Sequence, residues 1–238
     1  MKRAFLFAAA AAMAALSAPL LTAPSADAAP ARKGRAPARD WTRTVVATPE
    51  GGFRMGNPAA AVKVVEFLSL TCSHCRNFSV DGEAQLVERV RTGRVSYEIR
   101  SHVLNEVDLA ATVLNRCAPP SRYFALNDAI LREQPQWVGR LEAMTPAQAA
   151  ELEALPGMER LARTATVTGL NSLAMQHGMT AATIRACYAG DTGVRRVLAM
   201  HEEAKAQGVQ GTPSFMVNGQ LTEAYDWATL APLLNPSG

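Results

Sequence analysis

The clearest pattern along the chain is the run Val62-Lys63-Val64-Val65-Glu66-Phe67-Leu68, in which polar residues scarcely interrupt β-prone apolar ones. Such a run predicts a strand covered on both faces, as in the middle of an α/β sheet. A helical pattern from Ser73 to Arg91 follows, with Phe78, Leu86, Val87 and Val90 on the buried side and Gly82 weakening its interior. Gly93 ends that helix, and Val95, Tyr97 and Ile99 then alternate with polar residues from Arg94 to Arg100. Strand, helix and strand form a βαβ unit, which calls for parallel pairing and a right-handed crossover. Upstream, Thr44-Val45-Val46-Ala47 is a short strand candidate ended by Pro49 and Gly51-Gly52, and Asn57-Pro58 marks another turn.

From about Glu106 to Tyr188 the pattern is helical only. Leu109, Val113 and Leu114 begin one helix; Tyr123, Phe124, Leu126 and Ile130 mark a second; Pro135 to Trp137 predicts a break. Thr145 suits an N-cap, with Pro146 at the first helical position and Gln148 where a capping box needs it. Further helices are expected near 158–168 and 180–188. The β texture returns after a helix from Thr192 to Gln207, whose expected buried residues are Val194, Val197, Leu198 and Ala204. Asn218-Gly219 after the β-prone Phe215-Met216-Val217 is a strong hairpin signal. A last amphipathic helix carries Trp227, Leu230, Leu233 and Leu234. The predicted fold class is α/β, with a discontinuous sheet domain at 41–105 and 189–238 and an inserted helical subdomain at 106–188.

The N-terminus has a different character. Lys2 and Arg3 precede an Ala/Leu/Phe-rich stretch from Ala4 to about Leu16, and Ala26-Asp27-Ala28 offers a cleavage site, so residues 1–28 read as a secretory signal. The apolar run is too short and too alanine-rich for a membrane span. The Ala/Pro/Arg-rich residues 29–40 read as a solvated linker. Cleavage after residue 28 changes the charge balance from 24 − 21 to 22 − 20, and four of the remaining cations lie in the linker. The folded part is then 18 − 20, slightly acidic, which gives no case for a nucleic-acid surface. The expectation is a periplasmic monomer.

Export bears directly on the four cysteines, because an oxidising compartment permits disulfides. Cys72 and Cys75 flank Ser73-His74 at the predicted helix start, whereas Cys117 and Cys187 are seventy residues apart, each near a helix end. Disulfide exchange needs an exposed thiolate and a second thiol close enough to resolve the mixed disulfide. Cys72, at the helix mouth, has the free N–H groups that stabilise a thiolate; Cys75, one turn inside, is the resolving thiol. His74 can hydrogen-bond or place charge beside the thiolate but not the disulfide, which favours the reduced form and makes the oxidised form a stronger oxidant. Glu66, six residues before Cys72 in an apolar strand, suits a buried acid relaying a proton to or from Cys75; a solvent-facing strand residue is the plainer alternative. His102, His177 and His201 have no partners at an informative spacing. Zinc would need two further ligands, and haem attachment a histidine where Arg76 stands. No cofactor or metal is expected, although a copper-handling protein stays open.

Val64-Val65-Glu66-Phe67 through Cys72-Ser73-His74-Cys75, with Gly208-Val209-Gln210-Gly211-Thr212-Pro213-Ser214-Phe215, resembles the DsbA family of thiol:disulfide interchange proteins in the thioredoxin superfamily. The resemblance covers about residues 43–235 and implies a thioredoxin-like fold with an inserted helical subdomain. It implies a cis-Pro213 against the active-site disulfide, Thr212 offering backbone hydrogen bonds to an extended substrate, and re-oxidation by a quinone-linked membrane partner resembling DsbB. The implied activity is the introduction of disulfides into reduced, unfolded exported proteins; an isomerase or reductase is the alternative. Family members often carry proline where Ser73 stands, so the oxidising strength is left open. Cys117 and Cys187 suit a disulfide stapling the insertion, worth ~4 kcal/mol for such a loop in the chain-entropy model, with a redox-sensing pair as the alternative.

Overall fold

The computed structural model describes residues 39–235, so the signal-like segment 1–28 and all but the last two linker residues lie outside the described residues. The strands are β1 (Val45–Ala47), β2 (Phe53–Gly56), β3 (Val62–Leu68), β4 (Val95–Ser101), β5 (Ser214–Val217) and β6 (Gln220–Leu221). They form a six-stranded sheet of order β1-β2-β4-β3-β5-β6. β3 pairs parallel with β4 and antiparallel with β5, as the βαβ pattern and the returning β texture require. Side chains alternate across β3. Val62, Val64, Glu66 and Leu68 turn to one face; Val65 and Phe67 turn to the other, where they pack on Ala204 and Val209. This two-sided burial is why the run is nearly continuous.

Between β3 and β4 lie α1 (Ser73–Asp81) and α2 (Glu83–Arg91), where the sequence suggested one helix. The break falls at Gly82. A Cβ there would lie 2.7 Å from the Cβ of Trp227, so the C-terminal segment packs onto the chain at the one residue without a side chain. The sequence reading also missed β2. Its alternation is short and enclosed by turn residues, yet Phe53 and Met55 are buried and the strand pairs antiparallel with both β1 and β4.

The insertion contains α3 (Glu106–Arg116), α4 (Pro120–Arg132), α5 (Gln134–Glu142), α6 (Pro146–Glu153), α7 (Gly157–Val167), α8 (Leu170–Gln176) and α9 (Ala181–Cys187). Two corrections apply. Pro135 does not interrupt structure but lies in the first turn of α5, where its missing N–H removes no helical bond. α8 was not anticipated; it follows Gly169, which takes a left-handed φ of 81°. The capping box of α6 is present, with Thr145 and Gln148 bonding each other's backbone N–H. One apolar cluster runs from the sheet into the insertion, joining Tyr97, Phe124 and Leu161.

α10 (Thr192–Ala206) then covers the second sheet face. Its buried stripe is Val197, Met200 and Ala204; Val194 is partly buried, and Leu198, expected inside, is 44% exposed. Leu198 lies one position off the i, i+3, i+7 line and so faces solvent. Asn218 and Gly219, both with positive φ, turn β5 into β6. The last helix is a single α turn, α11 (Trp227–Leu230), continued by a 3-10 turn at Ala231–Leu234. Leu230 and Leu234 are buried there, but Leu233 is exposed.

Candidate active site

The site forms where β3 ends and α1 begins. Cys72 is the N-cap residue of α1, with extended backbone, and its carbonyl accepts from the Arg76 N–H at 3.1 Å. No side chain caps this helix start, so its free N–H groups remain available to the sulfur of Cys72. Cys75 is completely buried one turn on; Cys72 is 9% exposed and Ser73 and His74 lie at the surface. Cys72 and Cys75 are both free thiols in this structure.

The two thiols differ strongly in acidity. Cys72 is brought down to about 5, chiefly by the hydrogen bond from the Cys75 thiol, which outweighs the opposing effect of burial. The Thr212 hydroxyl and the backbone N–H groups of Cys75 and His74 add to it. Cys75 is pushed well up, first by burial and then by its hydrogen bond to the Cys72 sulfur, which holds its proton in place. One sulfur is therefore a thiolate near neutral pH while the other keeps its proton.

Residues far along the chain complete the site. Pro213 follows a cis peptide bond, and the Thr212 carbonyl lies 3.1 Å from the Cys72 sulfur, accepting from the thiol. The Thr212 hydroxyl is buried and has no hydrogen-bond partner among the described residues, so it is free to donate when the sulfur is ionised. Glu66 is fully buried on the core face of β3. Burial raises its carboxyl well above the usual range, partly offset by the Tyr97 hydroxyl, which donates to Oε2. Glu66 Oε1 is buried without a partner among the described residues. A carboxyl kept neutral here can hand its proton to a neighbouring thiolate, and the carboxylate left behind keeps the Tyr97 hydroxyl as its hydrogen-bond donor.

The exposed imidazole of His74 contributes less visibly than the sequence suggested. The acidifying contact from this residue comes through its backbone N–H. Cys117 and Cys187 lie outside this constellation and are joined by a disulfide, with their Cα atoms 6.0 Å apart. His102 and His201, unremarkable by spacing, stack with ring centroids 4.4 Å apart.

Four polar residues around the site escaped the sequence reading. Tyr97 carried a signal of sorts, since it lies on the same sheet face as Glu66 when β3 and β4 pair in parallel. Asp108 is buried in the first turn of α3 and accepts from the N–H groups of Leu70 and Leu104, both at 2.9 Å. Burial raises its carboxyl to about 6. Gln134, at the start of α5, donates through Nε2 to the carbonyls of Leu70 and Cys72. Glu83, buried in the first turn of α2, is raised to about 7 by burial and by Asp128. Nothing local in the sequence marks the last three.

The thioredoxin family model matches residues 48–235. A candidate protein-disulfide oxidoreductase of Rickettsia bellii (strain RML369-C) is 27% identical over 179 residues, which is 74% of this chain and 60% of that protein. Its counterpart in Rickettsia conorii (strain ATCC VR-613 / Malish 7) is 25% identical over 203 residues, or 84% of this chain and 65% of that one. The chain thus spans less than two thirds of these curated relatives. Among solved structures, a protein-disulfide isomerase from Novosphingobium aromaticivorans is 34% identical with a TM-score of 0.71, covering 77% of this chain and 95% of that one. The α-DsbA1 of Wolbachia pipientis shares the fold at a TM-score of 0.60 and 19% identity, covering 76% of this chain and 87% of its own.

Proposed function

The chain belongs to the thioredoxin family, and from that premise we propose that it is a periplasmic thiol:disulfide oxidoreductase that introduces disulfides into exported proteins. The observation that carries the reading is the split between the two thiols: Cys72 lowered to about 5 and Cys75 pushed up by burial. A stabilised Cys72 thiolate favours the dithiol form, so the disulfide form gives up its bond readily.

In the proposed cycle a client thiolate attacks the Cys72 sulfur of the oxidised protein. The Cys72–Cys75 bond breaks, and Cys75 leaves with the electron pair and takes up a proton, for which Glu66 is the buried donor. A second client thiolate then attacks the client sulfur of the mixed disulfide. Cys72 departs as a thiolate, stabilised by the helix start and by Thr212. The client gains one disulfide and the protein gains two electrons. Thr212 and Pro213 line the approach and offer backbone to an extended client. A quinone-linked membrane protein resembling DsbB removes the two electrons. The signal-like N-terminus supports the periplasmic location, and the staple at Cys117–Cys187 supports an oxidising one.

A second reading keeps the site and reverses the flow, as an isomerase or reductase. The 34% identity to a protein named as a disulfide isomerase favours it. Equilibration of Cys72–Cys75 with glutathione separates the two. An oxidant is expected to lie far above the thioredoxin value of about −270 mV, whereas a value near that figure establishes the reductive role.

A further inference from the structure

The turn that carries the nucleophile is held from the insertion. Leu70, two residues before Cys72, is gripped at both ends of its peptide: its N–H donates to Asp108 Oδ1 at 2.9 Å, and its carbonyl accepts from Gln134 Nε2 at 2.8 Å. The same Gln134 amide reaches the Cys72 carbonyl at 3.0 Å. That carbonyl already accepts from the Arg76 N–H, so it has two donors, one from α1 and one from α5. Gln134 is 6% exposed, and Pro135 behind it restricts the backbone from which it projects.

We propose that Gln134 is a positioning residue for the nucleophile, through which the inserted helices set the orientation and charge environment of Cys72. The inference rests on the disulfide-exchange reading of Cys72 and Cys75. The carbonyl of the cysteine itself carries partial negative charge, which opposes a thiolate. Two donors drain that charge, and the amide dipole of Gln134 turns its positive end toward it. The same bond fixes the peptide at the N-cap, which aims the N–H groups of α1 at the sulfur. A contact between insertion and sheet domain thus becomes a control on reactivity.

The test is the pH titration of thiolate absorbance in the reduced protein, with glutathione equilibration beside it. Gln134→Met keeps length and removes the donor; the Cys72 midpoint is expected to rise by roughly 0.5 to 1 unit. Gln134→Glu, which sets a carboxyl against two carbonyls, is expected to raise it further. Trp137→Phe, in the same helix as Gln134, is the control: it removes the Nε1–H bond to the Ile130 carbonyl of α4 and is expected to leave the midpoint unchanged. Unmoved midpoints in both Gln134 variants overturn the proposal, as does an equal shift in Trp137→Phe. Failure of both Gln134 variants to fold makes the residue structural and also overturns it. Wild-type protein that does not exchange with glutathione defeats the functional reading itself, and this inference with it.

Discussion

Cys72 caps the N-terminus of α1, whereas Cys117 caps the C-terminus of α3 and Cys187 is the last residue of α9. The two pairs therefore meet opposite ends of the helix dipole. Free N–H groups face the Cys72 sulfur and stabilise negative charge there. Cys72 and Cys187 each have one carbonyl oxygen 3.1 Å from the sulfur, from Thr212 and Thr183, so the difference lies in the free N–H groups, which the helix C-termini at Cys117 and Cys187 do not offer. A thiol that ionises easily is a good leaving group and a poor keeper of a disulfide. One at a helix C-terminus, without such N–H groups, is the reverse. Helix polarity thus distinguishes a bond built to be exchanged from one built to stay, and it favours a staple over a sensor at Cys117–Cys187.

The sharpest way to break this comparison is to exchange the roles by mutation. Cys72→Ala is expected to lower the rate of oxidation of a reduced test protein by at least ~10³-fold, because the attacked sulfur is gone. The double variant Cys117→Ser, Cys187→Ser is expected to keep that rate within about twofold, since neither sulfur touches the site. Equal losses in the two proteins would make the distal pair part of the redox chemistry.

The second measurement is stability. The same double serine variant is expected to lose on the order of 4 kcal/mol in denaturant unfolding, the chain-entropy value for a loop of this length. Reduction of Cys72–Cys75 should not lower stability in that way, because a two-residue loop restrains little and the thiolate is favoured in the folded protein.

Buried carboxyls separate the two regions further. Asp108 holds the turn before Cys72, and Glu83 is close enough to Glu66 to make its carboxyl a weaker acid. Burial is the first cause of each shift: Glu83 rises from 4.5 to about 7 and Asp108 from 3.8 to about 6. The folded protein binds more protons than the unfolded chain between those limits. Stability from these groups is therefore complete below about pH 4 and is lost as pH rises through 6 and 7. Thermal unfolding of the disulfide form, in which Cys72 does not titrate and cannot offset the effect, should show a decline from pH 5 to pH 8, on the order of 1 to 3 kcal/mol, that Glu83→Gln reduces. A flat profile would place these acids in contact with water.

How far this site could be read from the chain depends on where each partner lies. Cys72 and Cys75 were legible because two intervening residues and a helix start are local facts. Glu66 was legible because a carboxylate within an apolar strand violates the pattern around it. β2 was not: its pairing energy comes from β4, more than thirty residues away, and its own four residues sit between glycines and Asn57-Pro58. The break at Gly82 depends on Trp227, and the grip on Leu70 on Asp108 and Gln134. These are tertiary contacts, which no local periodicity encodes.

Glu66 offers a smaller effect that sharpens the contrast within the reactive pair. Glu66→Gln retains an acceptor for the Tyr97 hydroxyl but removes the titrating proton. Departure of Cys75 as the client attacks Cys72, and the reverse attack of Cys75 on the mixed disulfide, both move that proton and should slow by roughly tenfold, within the range for loss of one general acid–base. The lifetime of a mixed disulfide with a model peptide reads that step directly. An unchanged lifetime would assign the proton to solvent.

The smallest effect concerns His74, and it tests whether helix polarity suffices to explain Cys72. What His74 adds to the acidity of the thiol, beside the larger effect of Cys75, comes through its backbone N–H, which His74→Ser retains. The imidazole is exposed, where water screens its interaction with the sulfur. If the helix start and the Cys75 thiol account for most of the stabilisation, the Cys72 midpoint should rise by less than ~1 unit in His74→Ser. The glutathione equilibrium should then move by less than about tenfold, since one pKa unit of thiolate stabilisation corresponds to that factor. A larger shift would give the imidazole the leading role. The contrast between the two cysteine pairs would then rest on one side chain more than on which end of a helix each sulfur meets.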